Sequence, residues 1–82
     1  MFEIEINIMN NKFEEIKEDV NNGKLLLFAE AEVEELLIEA NELRKSLKGK
    51  VEIRELNVLI KQLSQYLCDI QGLIEQGYSI TL

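Results

Sequence analysis

The chain has no histidine, no proline and no tryptophan, and it has one cysteine. Without histidine the usual zinc ligand sets and the Glu-x-x-His pair of di-iron bundles cannot be assembled, and the side chain most often used as a general base is missing. The lone Cys68 excludes an internal disulfide and fits a reducing compartment. It also lacks an imidazole to activate it, so it reads as a packing or half-exposed thiol. Gly23, Gly49, Gly72 and Gly77 stand singly, which leaves no loop able to cradle a phosphate. The longest apolar run, Leu25 to Ala29, is far too short to span a bilayer. Met1-Phe2-Glu3-Ile4-Glu5 is acidic where a signal peptide is basic. A cytoplasmic protein without membrane contact is therefore expected.

Positive charge is scarce where it would matter for nucleic acids. Residues 1–42 hold twelve Asp/Glu against three Lys, whereas residues 43–82 hold four against six Lys/Arg, and the net charge is −7. A field of that sign repels phosphate backbones and anionic lipid heads and attracts basic protein surfaces, so no direct nucleic-acid or membrane binding is expected.

What the chain does have is aliphatic periodicity. The apolar fraction is 46%, of which aromatics supply only 6%, so branched and linear side chains must fill the core of this 82-residue single domain (1–82). Ile53, Leu56, Ile60, Leu63, Leu67, Ile70 and Ile74 recur at alternating spacings of three and four, and so do Val33, Leu36, Ala40, Leu43 and Leu47. This is the spacing of a helix-packing seam. Gly49, between the two runs, is placed to adopt the left-handed conformation that ends a helix and reverses the chain. An antiparallel hairpin then sets Val33 against Leu67, Leu36 against Leu63, Ala40 against Ile60, Leu43 against Leu56 and Leu47 against Ile53.

The flanks read as mixed structure. Phe2, Ile4, Ile6 and Ile8 alternate with Glu3, Glu5 and Asn7, the pattern of a half-buried strand. Asn11 with Glu14 resembles a capping box, and Phe13, Ile16 and Val20 then share a stripe ahead of Asn21-Asn22-Gly23, which predicts a short helix. Leu25–Phe28 fits either the start of the first hairpin helix, from about residue 24, or a buried strand. Helix continues the register through Leu26 with Ile74 and Ala29 with Ile70. Tyr78, Ile80 and Leu82 alternate after Gly77 and suggest a terminal strand. The expected fold class is thus mainly α (α+β): an antiparallel helical hairpin with a short N-terminal helix and short N- and C-terminal β-strands.

The candidate site is a ridge of glutamates. Glu32, Glu35, Glu39 and Glu42 follow spacings of three and four, so Glu32/Glu35, Glu35/Glu39 and Glu39/Glu42 are like-charge neighbours, each costing about 0.2–0.5 kcal/mol in an isolated helix. A bland account makes this a solvated face whose acidic beginning and basic end, Arg44, Lys45 and Lys48, suit the helix macrodipole. The sharper account makes it a docking face for a basic partner. A calcium loop is not supported: Asp19, Asn21 and Glu30 match template offsets, but Gly23 falls one position early. No metal, cofactor or catalytic residue is expected, and the chain does not read as an enzyme.

Two functions follow. One is a small acidic protein-interaction module, inhibitory or regulatory, that docks its glutamate face on a basic surface of a partner protein. The alternative is a homo-oligomeric scaffold assembling through its hairpin. Leu59, Tyr66 and Leu73 lie beside the seam that runs from Ile53 to Ile74 and broaden it beyond what one partner helix covers, so a homodimer is expected.

Overall fold

A computed structural model describes residues 2–77, and in it the chain forms three helices: α1 (Phe2–Asn21), α2 (Leu26–Ser46) and α3 (Lys50–Glu75). They run up, down and up in a flat, elongated bundle of 44 × 20 × 15 Å. No strand occurs among the described residues. The expected N-terminal strand is therefore corrected to helix, and the expected C-terminal strand falls at 78–82, outside the described residues.

The physical reason for the first correction lies in a period that the alternation conceals. Phe2, Ile6, Met9, Phe13, Ile16 and Val20 are spaced four, three, four, three and four apart, a third heptad run uninterrupted by proline or glycine. A strand at residues 2–8 would need a ladder partner for every other backbone group, while a helix satisfies those groups locally. The helical choice buries Ile6, Met9, Phe13 and Ile16 and leaves Ile4 and Ile8 outside. Asn11 lies inside α1 instead of capping a shorter helix, and Asn10 Nδ2 donates to the Ile6 carbonyl at 3.1 Å.

Gly23 ends α1. With φ at +102° it occupies the left-handed region, and the Gly23 N–H donates to Val20 O at 3.1 Å while the Lys24 N–H donates to Asp19 O at 2.9 Å. This is the Schellman arrangement, and it satisfies the carbonyls that the helix end leaves open. Gly49 behaves differently from the expectation. It is extended, with φ −79° and ψ 133°, and it caps the start of α3, while Leu47, also extended, ends α2 and buries its side chain in the core. The reversal is made by two extended residues and not by a left-handed glycine.

Leu25 is the extended residue before α2, so the stretch from Leu26 is helical and the strand alternative for 24–28 is excluded. Leu26, Ala29, Val33, Leu36 and Ala40 form the buried face of α2. On α3 the buried residues are Leu56, Leu59, Leu63 and Ile70, with Ile53, Ile60, Leu67 and Ile74 partly buried at the edge. Near the reversal Arg44 Nη1 donates to Asn57 Oδ1 at 3.1 Å, joining α2 to α3.

α1 lies against both hairpin helices and covers the flank of α3. Leu59 is fully buried, and the Tyr66 ring meets Phe13 edge to face, with centroids 5.5 Å apart and planes at 76°. Lys17 Nζ sits 4.4 Å from the Phe13 centroid on the outer side. The broad stripe behind the hairpin-dimer expectation is thus largely covered within one chain, although Leu73 remains exposed.

Burial raises the Tyr66 phenol above its usual value of 10.0. In a Tyr78→Phe variant, which leaves Tyr66 the only tyrosine, phenolate absorbance should therefore rise at higher pH in the folded protein than in denaturant. The stability this neutral phenol supplies is fully present below its unfolded pKa and is lost as pH climbs through the raised folded one. Coincident folded and unfolded titrations would contradict the packing of α1 on α3.

Candidate acidic groove between α1 and α2

The antiparallel pairing of α1 and α2 brings two acidic flanks together. On each helix the residue immediately before a core position faces the seam between them. These are Glu5, Ile8, Lys12, Glu15 and Asp19 on α1, and Glu32, Glu35, Glu39 and Glu42 on α2. Along one part of the seam Glu15, Asp19, Glu32, Glu35 and Glu39 surround an open groove of about 250 Å³ floored by Ile16 and Leu36.

Two lysines bridge carboxylates along this part. Lys12 Nζ lies 3.6 Å from Glu39 Oε2, crossing from α1 to α2. Lys24, in the turn, reaches Glu32 Oε1 at 2.5 Å and Asp19 Oδ2 at 3.7 Å. The contact with Glu32 is the main cause of an upward shift of the Lys24 ammonium from 10.5; burial opposes it, and the fields of Glu32 and Asp19 add to it. Glu32 Oε1 is shielded from solvent, with Lys24 as its ion-pair partner.

The other part of the seam is apolar. Ile8, Met9, Ile38 and Leu43 line an open hollow of about 430 Å³, rimmed by Glu5, Glu39 and Glu42. Ile8 and Ile38, exposed at 48% and 63%, line the hollow together, one from each helix. Lys12 and Glu39 belong to both parts, so groove and hollow form one continuous trough.

Of the four glutamates singled out from sequence, Glu32, Glu35 and Glu39 line the groove, and Glu42 stands on the rim of the hollow, 3.5 Å from Lys45. Glu32 is half-buried and tethered; Glu35, Glu39 and Glu42 are exposed. Sequence reasoning missed the α1 contribution of Glu5, Ile8, Lys12, Glu15 and Asp19. Those five residues carry the same three-and-four spacing as the α2 ridge, so the signal was present, but reading residues 2–8 as a strand broke it.

Among the described residues no group of three or more Cys, Asp or Glu side chains is placed to hold a metal ion, and no helix is long and apolar enough to cross a membrane. No protein-family model matches the chain, and neither a curated protein nor a solved structure matches it.

Proposed function

We propose that the protein is a small non-catalytic interaction module, inhibitory or regulatory, whose α1/α2 trough docks a basic surface of a partner protein. The observation that carries this reading is the convergence of carboxylates from two helices on one seam beside an exposed apolar hollow. Glu5, Glu15 and Glu35 have no ion-pair partner among the described residues, so the trough has carboxylates left to engage an incoming cation. Charge of this kind steers a basic partner and fixes its register, while the apolar floor supplies contact area.

The test uses the chain and a Glu32→Gln, Glu35→Gln, Glu39→Gln, Glu42→Gln variant as parallel baits in the native host, at low and then high salt. A basic protein released by salt from the first bait and not retained by the second is the expected result. An unchanged set of captured proteins would contradict docking through the trough.

A further inference from the structure

The same chain carries a surface of opposite sign. Lys50, Arg54, Val58 and Lys61 fall at steps of four, four and three on α3, so they share one face, and with Ile53 and Asn57 they line an open hollow of about 450 Å³. No carboxylate lines it. Val58 is 52% exposed. Among the described residues Lys12, Lys17 and Lys24 all pair with carboxylates of their own chain, while Lys50, Arg54 and Lys61 pair with none.

We infer that the basic stripe of α3 in one copy docks in the α1/α2 trough of a second copy, head to tail. This rests on the reading of the trough as a site for basic surfaces and names its partner. The lengths agree: the stripe from Lys50 to Lys61 is about 17 Å long and the α1 wall from Glu5 to Asp19 about 21 Å at 1.5 Å per residue. Val58 supplies an aliphatic anchor for the hollow between Ile8 and Ile38, and Arg54 and Lys61, a turn to either side, meet Glu5, Glu39 and Glu42.

Charge also selects the symmetry. Trough against trough places carboxylates together and stripe against stripe places cations together. A two-fold pair exchanging both contacts would need them on one side of the molecule, whereas the stripe lies on the side of α3 turned away from its buried Leu56, Leu59, Leu63 and Ile70 and the trough is lined by α1 and α2 alone. The complementary contact is heterologous, and it leaves a free trough at one end and a free stripe at the other, from which the assembly can extend. The net charge of −7 opposes this only at long range, because charges are screened within about 8 Å at physiological ionic strength. A single helix face in a shallow trough lies at the small end of protein interfaces, so association is weak and needs high micromolar protein.

Sedimentation equilibrium at high micromolar concentration and physiological salt tests this with two variants, each checked for wild-type helicity by circular dichroism. Ile38→Lys blocks the trough by setting a cation against the incoming Arg54 and Lys61, and Arg54→Glu blocks the stripe; both positions are exposed. The wild-type mass should rise with concentration without stopping at a dimer, and each variant alone should lose about tenfold or more in association. Mixed in equal amounts, the two variants should form a one-to-one dimer that grows no further, because one intact trough meets one intact stripe. Either variant self-associating like the wild type, or a mixture that stays monomeric, overturns the inference. A monomeric wild type overturns it too, and if the four-Gln bait still loses a salt-released basic protein, docking by the trough stands without it.

Discussion

Phe13→Ala is expected to cost about 3–5 kcal/mol in a denaturant melt followed by circular dichroism. The ring is 4% exposed and fills the middle of the α1 stripe, edge to face on Tyr66. Truncation removes its buried area, the aromatic pair and the seat of Lys17 together. A domain of 82 residues has about 4–12 kcal/mol in all, so the loss takes most of it. α1 should be the helix that detaches, because it is held by a single stripe while α2 and α3 share the larger interface. A loss below about 1 kcal/mol would show that α1 does not close the bundle through this face.

Leu63→Ala should be nearly as severe, at about 2–5 kcal/mol, while Val58→Ala should stay within about 0.5 kcal/mol. The residues lie five apart on the same helix and have similar chemistry. Leu63 has no exposed surface and sits where all three helices contribute to the core, so its removal leaves a cavity that the surrounding side chains only partly fill. Val58 points outward into the basic stripe. Melts at low protein concentration, which keep self-association out of the comparison, should separate the two by several kcal/mol. Equal losses would place the seam on the wrong face of α3.

The pairing of α2 with α3 was legible because both heptad runs are long and a three-residue break separates the two helices. α1 was not, because Phe2, Ile4, Ile6 and Ile8 satisfy a two-residue period and part of a seven-residue one at once, and only the continuation through Met9, Phe13, Ile16 and Val20 separates them. The exposed Ile4 and Ile8 supplied the misleading alternation. Of the two, Ile8 lines the hollow.

The α2 half of the candidate groove was visible for the same reason. The glutamates of α2 lie on a helix that was recognised, so their shared flank was read correctly as a flank. What they face depends on α1, and with that helix broken into strand and short helix, Glu15 and Asp19 had no place opposite Glu32 and Glu35. The tether of Lys24 to Asp19 and Glu32 depends on the tight turn at Gly23, which no pairwise charge pattern along the chain reveals.

The groove carboxylates, in this reading, serve docking and not the cohesion of the bundle. The urea midpoint of the Glu32→Gln, Glu35→Gln, Glu39→Gln, Glu42→Gln variant tests that most directly. The exchange removes three like-charge neighbour pairs on α2 and also three partly exposed ion pairs, to Lys24, Lys12 and Lys45. Helical repulsion and exposed ion pairs are of similar small size, so the two losses nearly cancel. The variant should melt within about 1 kcal/mol of the wild type, at or slightly above its midpoint. A loss above about 3 kcal/mol would show that these carboxylates hold α1 on α2, and would contradict their assignment to a partner.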